Sequence, residues 1–422
     1  MAEARERRQE TRRSLAKSYG LPVLSFTLNL AGARKRTRLA DFAFAQGREE
    51  VLHLLGPPVK SLLCYRHTGS EAFFVYREDA EKIKRTCLDL EEGSPVGRLY
   101  DMDVMTSAGR ILGREELFAG RKERTRTCLV CGEPVWLCSR MRRHGLKQIE
   151  EKTEALLRPL VADRIADFAR QALMEEAMLT PKPGLVDRNN RGAHMDMDLP
   201  LMIRSARALY PTFRRAALLG LGLGTTSLRE IGLEGEKQMT EATGGVNTHR
   251  GALYALGLFA WAWARRAATG KSLTEEIGQA AKEVRMERGR PLPSSHGQQI
   301  RAAYGVEGPE DEAFLGFPAA RKVHAYLVKS GGDVKGALLI AMLATDDANL
   351  LYRGGKEGLT LARKEASKAL LLEGEARDRA LLRMDRLFIE KNLSPGGSAD
   401  MLALGLAAYR LGIWLNPETA VR

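Results

Sequence analysis

The hydrophobic rhythm of the chain changes about a third of the way along. Before that point, short apolar runs of strand type are set among polar stretches. Val23 to Leu30 reads as a strand closed by Gly32, and Phe73 to Tyr76 and Leu99 to Met105 read likewise. Asp79 to Leu88 between them carries helical spacing. Further on, Val161 to Leu179 repeats apolar residues at helical spacing and stops at Pro181. The same pattern runs through Leu201 to Leu219, Ala252 to Ala268, Leu273 to Met286, Lys335 to Leu351, Leu359 to Leu372 and Ala399 to Leu411. Ala and Leu dominate there and β-branched residues are sparse, which favours helix. The expected architecture is multidomain: an α/β or α+β domain over residues 1–150, then an all-α domain over 151–422, divided in the polar segment His144 to Thr153.

Composition adds bounds. A chain of 422 residues exceeds one ordinary core. No apolar run has membrane-spanning length, and the longest, Ala252 to Ala264, suits a buried helix. Met1 to Arg13 is dense in Arg and Glu and lacks the apolar stretch of a signal peptide, so the expected location is the cytoplasm, with no membrane partner. The net charge is +13; residues 1–150 hold 28 Lys and Arg against 20 Asp and Glu, so the shorter part is the more basic. That balance suits an anionic partner, and equally a generic basic surface. All five cysteines precede residue 140, and their odd number argues against a disulfide framework.

In the first domain, Asp101 and Asp103 stand two apart on a predicted strand and so face the same way. Such a pair can hold Mg²⁺ and steer a pyrophosphate leaving group, the arrangement used by nucleotidyltransferases. The domain is therefore expected to be nucleotidyltransferase-like. The plain alternative is an edge strand with two solvated acids. Arg98 and the basic run Arg121 to Arg126 supply counter-charge for a triphosphate. Cys128, Cys131, Cys138 and His144 form C-x2-C-x6-C-x5-H. These are zinc-ligand types with a tight first pair, although the later spacings match no common zinc module. Reduced, partly buried thiols beside a surface histidine are the other reading.

The second domain concentrates its chemistry in loops between helices: PKPG (181–184), GAHMDMD (192–198), GGVNTHRG (244–251), RGG (353–355) and SPGG (394–397). They or their flanks hold Asp187, His194, Asp196, Asp198, His249, Asp346, Asp347 and Asp400. Loop acids often cap helices, which accounts for Asp198 and for Asp187. Asn247 or Thr248 is expected to cap the helix that follows, and Ser398 the last one. Capping does not account for two histidines beside glycines that let phosphates approach backbone N–H groups. Asp347, Asn349, Arg353 and Gly354 gather a carboxylate, an amide and a guanidinium within two helical turns, ahead of a glycine break. Five such motifs in one helical domain point to an active site.

Two resemblances follow from these residues. Residues 1 to about 150 resemble the citrate lyase holo-acyl-carrier-protein synthase family in Ala4-Arg5-Glu6-Arg7-Arg8, Phe26-Thr27-Leu28-Asn29, Pro95 to Val104 and the Cys128 to His144 segment. That resemblance implies transfer of a phosphoribosyl-dephospho-CoA group to a serine of an apo acyl carrier subunit with release of pyrophosphate, and places the acid pair on Asp101 and Asp103. The Gly-Ser that usually stands shortly before such acids is here Gly69-Ser70, some thirty residues upstream. Residues 160–415 resemble triphosphoribosyl-dephospho-CoA synthase in PKPGLVDR (181–188), GAHMDMD, GGVNTHRGA (244–252), RGG and SPGGSADMLA (394–403).

The second resemblance implies ATP and 3′-dephospho-CoA as substrates and adenine as a product. Departure of adenine builds oxocarbenium character, which carboxylates stabilise. It also needs one group to protonate the base and one to take the hydroxyl proton. His249 or Asp196 is the expected base, and Asp187, Asp196 and Asp347 are the expected Mg²⁺ ligands. Lys182, Arg250 and Arg353 are expected to meet the triphosphate, with His194, Asn247, Asn349 and Gly354 also binding substrate. The two halves fit one pathway, because the second makes what the first consumes. The same service for malonate decarboxylase is the enzymatic alternative. A nucleic-acid-binding nucleotidyltransferase is another, disfavoured by the lack of an RNA-recognition signature and by few aromatics for base stacking. A first domain that only docks the carrier is a third.

Overall fold

The computed structural model describes residues 2–117, 127–287, 304–305 and 308–417. The chain divides into two compact units, Met1–Val161 and Ala162–Arg422. The division falls inside one continuous helix, Leu146–Met178, whose first turn begins in the polar segment where the sequence suggested a boundary.

The first unit is built on a five-stranded antiparallel sheet: β1 (Val23–Leu28), β2 (Lys60–Arg66), β3 (Gly69–Val75), β4 (Tyr100–Met105) and β5 (Ile111–Leu112), in the order β2-β3-β1-β4-β5. The three strands expected from the sequence are the central ones. β2 escaped notice because its side chains are half-buried or exposed and alternate weakly. Leu24, Phe26, Phe74, Tyr100, Met102 and Val104 point to one face and pack with Phe44 and Val51 of the helix Arg38–Leu55 and Ile83 and Cys87 of the helix Ala80–Gly93. The opposite face, through Val23, Val75 and Met105, packs on Ala16 of the helix Ala2–Tyr19. That helix is too rich in Arg and Glu to announce an apolar stripe. It contributes few apolar residues and instead lays arginines over the sheet.

The second unit is wholly helical among its described residues. The helix Arg250–Thr269 is buried along most of its length and packs on Tyr210–Gly220, Leu273–Glu287 and Gly396–Leu415. The expected helix Leu201 to Leu219 is two, Leu199–Ala208 and Tyr210–Gly220, because Pro211 lacks an N–H and fits only a first turn. Lys335 to Leu351 is likewise divided. Val334–Ala344 ends, and Asp347 caps a new helix, Ala348–Leu370, by accepting the N–H groups of Asn349 and Leu350. The stretch Leu359 to Leu372 largely belongs to that second helix, beyond a kink at Gly355. Leu228–Thr243, Pro318–Ser330 and Gly374–Glu390 are further helices whose polar faces hid their periodicity. No helix among the described residues is long and apolar enough to cross a membrane.

Candidate active sites in the two units

The glycine-bearing loops of the helical unit meet around one cavity of about 710 Å³, within the size range of small-molecule and cofactor sites. Of the residues singled out in the sequence, Lys182, His194, Asn247, His249, Arg250, Asn349 and Arg353 line it.

His249 is almost wholly buried. Its Nδ1 lies 2.8 Å from Ser205 Oγ, which also accepts a hydrogen bond from Thr248 Oγ1. Its Nε2 is buried with no hydrogen-bond partner among the described residues. Burial first, and then the charge of Lys182, hold the ring down to about 3, so the imidazole is neutral. His194 is also neutral, lowered to about 4 by burial and by Arg353. Arg353 Nη2 stands 3.4 Å from His194 Nδ1. A guanidinium can only donate, so Nδ1 accepts and Nε2–H faces Ser394 Oγ at 2.9 Å. Arg353 also donates to Ala193 O and Asn392 Oδ1, so it ties the GAHMDMD loop to the helix it stands on.

Lys182 and Glu176 form an ion pair of 2.6 Å, both nearly inaccessible, at the cavity wall. The ammonium also donates to Glu176 O. Glu176 was not legible in the sequence, where it is one of two adjacent acids on a helix. Asp400, noted there only as one loop acid among several, stands at the cavity wall and accepts from Ala252 N–H. Enclosure by protein, and the charges of Asp347 and Glu176, hold its carboxyl well above the usual carboxylate range. It stands at the start of Arg250–Thr269, where Asn247 and Thr248 were expected to act; neither caps that helix, whose N-cap residue His249 makes no side-chain cap bond. Ser398 does not cap the last helix either. It lies within it and donates to Asp347.

The acids expected to hold metal here are not brought together. Asp187 accepts from the N–H groups of Lys182, Asn189 and Asn190. Asp347 is fully buried and accepts from Ser398 as well as from its own helix start. Asp196 is exposed, and all three are absent from the cavity wall. Gly354 is also off the wall and packs on Leu393. Asp198 caps Leu199–Ala208 through Leu201 N–H, as its sequence context suggested.

In the first unit, the register sets Asp101 opposite Thr27 and Asp103 opposite Ser25 on one face of the sheet. Both acids are half-buried. The helix Ala2–Tyr19 presents arginines to that face: Arg12 reaches Asp103 Oδ2 at 2.7 Å, and Arg8 reaches Thr27 Oγ1 and Glu71. A small cavity of about 130 Å³ is lined by Arg5, Arg8, Lys35, Ser70 and Asp101 among others. Gly69 lines it too. Thus the Gly-Ser that is remote in sequence stands beside Asp101 in space, because β3 and β4 flank β1. Arg98 donates twice to Thr127, at 2.8 Å each, and is not part of that cavity wall. The run Arg121 to Arg126 lies outside the described residues.

Comparison with known proteins matches residues 162–418 to the ATP:dephospho-CoA triphosphoribosyl transferase family and residues 1–159 to the apo-citrate lyase phosphoribosyl-dephospho-CoA transferase family. "Protein CitXG" of Haemophilus influenzae is 33% identical over 95% of this chain and 93% of its own length. The protein of the same name from Leuconostoc mesenteroides is 31% identical over 96% of this chain and 95% of its own. This chain belongs to the CitXG family. The "Probable 2-(5''-triphosphoribosyl)-3'-dephosphocoenzyme-A synthase" of Azotobacter vinelandii is 41% identical over 60% of this chain and 93% of its own. In this CitXG-family chain the family match changes between residues 159 and 162, next to the division between the compact units. The cavity with His249 and Asp400 therefore lies in the triphosphoribosyl transferase segment, and the face with Asp101 and Asp103 in the phosphoribosyl-dephospho-CoA transferase segment.

Proposed function

We propose that the helical unit joins ATP to 3′-dephospho-CoA and that the first unit attaches the product to the apo acyl carrier subunit of citrate lyase. In the first reaction the 2′-hydroxyl of dephospho-CoA bonds to C1′ of the ATP ribose. The bond from C1′ to adenine breaks, and the triphosphate stays on the transferred ribose. The hydroxyl loses a proton and adenine gains one. The observation that carries this reading is the convergence of PKPG, GAHMDMD, GGVNTHRG, the Asn349–Arg353 turn and SPGG on one cavity.

His249 and Asp400 suit the two proton tasks, because their surroundings push them in opposite directions. Asp400, held protonated, donates to the departing base. His249 accepts the hydroxyl proton at Nε2, with Nδ1–H given to Ser205. The anionic triphosphate raises the basicity of the ring on binding, against the charge of Lys182. Once Asp400 has given up its proton, its carboxylate also steadies positive charge on the ribose. Arg250 and Asn247, exposed at the rim, meet phosphates, and Arg353 and His194 keep the loop beneath them in place. Asp187, Asp196 and Asp347 do not fit an Mg²⁺ site, being either engaged by N–H donors or away from the cavity.

In the second reaction the carrier serine oxygen bonds to the phosphorus next to the ribose, the bond to pyrophosphate breaks, and the serine proton is released with the pyrophosphate. Asp101 and Asp103 fit Mg²⁺ better, since they share a face and are half-buried, and Asp101 borders a cavity with three cations. Mg²⁺ would supply counter-charge to the pyrophosphate there. Together with Gly69-Ser70 at the same cavity, this supports a nucleotidyltransferase-like first unit.

The test is incubation with ATP, Mg²⁺ and dephospho-CoA, followed by chromatography for adenine. Adenine released only when dephospho-CoA is present is expected. Folded protein that releases none with both substrates refutes the reading. Added apo carrier should then gain the mass of the phosphoribosyl-dephospho-CoA group.

A further inference from the structure

We propose that Cys128, Cys131, Cys138 and His144 hold a structural zinc ion that braces the first unit. Each of the four offers one ligand atom, and these atoms all lie within 4.8 Å of one another. A tetrahedral ion with bonds of about 2.3 Å to sulfur and 2.0 Å to nitrogen spaces its ligands about 3.5–3.8 Å apart, so the set needs only small adjustments, some pairs closing and others opening. Cys131 Sγ is 3.4 Å from Cys138 Sγ and 3.2 Å from His144 Nε2.

The backbone is shaped for this. Cys128 N–H donates to Glu133 O, and Gly132 N–H returns to Cys128 O, with Gly132 at φ 78°, which a side chain would strain. The N–H of Val130 points at Cys128 Sγ from 3.4 Å, as expected of a loop that stabilises a thiolate. Thr127 and Pro134 form a single antiparallel bridge. Cys138 then comes from the short helix Val135–Met141, and Arg142, in the left-handed region at φ 48°, turns the chain so that His144 closes the set.

What the segment lacks is as informative. Between residues 127 and 144 only Cys128 and Cys138 are buried. Its large apolar side chains Val135, Trp136 and Met141 are exposed. Leu129, Val130 and Leu137 are only half-buried, so eighteen residues that fully bury just two thiols have little hydrophobic reason to hold this path, and a metal supplies a stronger one. Three thiolates and an imidazole fill all four positions and leave none open for substrate, which makes the ion structural. Soft sulfur ligands in a tetrahedral set select zinc over Mg²⁺. The resulting net negative charge sits among Arg140, Arg142 and Arg143. The brace reaches the transfer site through Thr127, next to Cys128, which accepts both bonds from Arg98, three residues before Asp101.

The full-length protein, grown with zinc and purified without chelator, is expected to carry about one zinc per chain by elemental analysis. Cobalt in its place should show the intense visible bands of tetrahedral thiolate ligation. Cys131, exposed and otherwise open to reagents, should resist a thiol-specific disulfide reagent until the metal is stripped. Cys131→Ser and Cys138→Ser should lose the metal, and Cys64→Ser should keep it. Zinc below about a tenth per chain, rapid labelling of Cys131 in untreated protein, or a Cys131–Cys138 disulfide found by mass spectrometry would each overturn the proposal. The labelling test uses unaltered protein, so it stands even if the serine variants do not fold.

Discussion

The carboxylate of Asp400 occupies the space that a side chain at Gly251 would need, since a Cβ there would overlap Asp400 Oδ2. The same carboxylate accepts from the N–H of Ala252, the next residue. Gly251 is therefore what lets the last helix deliver an acid to the first turn of Arg250–Thr269. Gly251→Ala is expected to displace Asp400 and to cut adenine release by about a hundredfold or more, because catalytic groups tolerate little misplacement. The first unit, supplied with preformed triphosphoribosyl-dephospho-CoA, should still modify the carrier. A variant that releases adenine at near the normal rate would remove Asp400 from the chemistry.

Asp400 also links activity to pH. Its carboxyl is raised well above its ordinary value, so in the window between the two the folded protein binds a proton that the unfolded chain does not. The contribution of Asp400 to stability is then full at low pH and declines as pH rises toward the folded value. Asp400→Asn removes that loss. It should melt higher than the parent at pH 8 and match it more closely at pH 5, while adenine release collapses at both. A melting difference that does not depend on pH would show that the carboxyl is not held protonated.

Little of this was readable from local pattern, and the reason is geometric. PKPG, GAHMDMD and GGVNTHRG announce themselves because glycine, histidine and acid in a break between helices have few other uses. Glu176 does not, since beside Glu175 on a long helix it looks like part of a solvated face. Its burial against Lys182 depends on how the PKPG loop folds back. Asp187 and Asp347 mislead in the opposite direction, as carboxylates in loops that serve backbone N–H groups. The Gly69-Ser70 pair is remote from Asp101 along the chain and adjacent across the sheet, which only strand order reveals. The helix Ala2–Tyr19 has too few apolar residues to show a helical stripe, so in the sequence its arginines register only as charge.

The Lys182–Glu176 pair should dominate the local energetics. Both partners are almost wholly buried, so removing one leaves a charge without compensation. Lys182→Met is expected to cost about 3–5 kcal/mol in urea unfolding, and the double variant Lys182→Met with Glu176→Met should recover much of it. A single variant within about 1 kcal/mol of the parent would mean that the pair is solvated in solution.

The two neutral histidines act at the acid end. His249 at about 3 and His194 at about 4 lie below the ordinary 6.5 of an unfolded chain. Below pH 6.5 the unfolded state binds protons that the folded state refuses, so the stability present above 6.5 is lost as pH falls. With the opposing carboxyl removed by Asp400→Asn, the urea midpoint should fall steadily from pH 6.5 to pH 4, and adding His249→Gln should make that slope shallower. An unaltered slope would contradict a neutral, buried His249.

The two reactions should separate cleanly by mutation. Asp101 and Asp103 share the sheet face of the first unit, and Arg12 holds Asp103 through a 2.7 Å contact. Asp101→Asn and Asp103→Asn preserve shape and remove the charge that would hold Mg²⁺. Each is expected to leave adenine release unchanged and to slow carrier modification by about a hundredfold or more. Binding of the carrier, measured by titration, should persist, because the substitutions alter no apolar surface. Arg12→Gln frees Asp103 from its partner and should change the Mg²⁺ concentration needed for half-maximal transfer without abolishing it. If both asparagine variants modify the carrier at the parent rate, the acid pair is a structural anchor for the helix Ala2–Tyr19, and the transfer site lies elsewhere. If carrier binding is lost together with transfer, that sheet face is a docking surface, and the metal role given to the two acids fails.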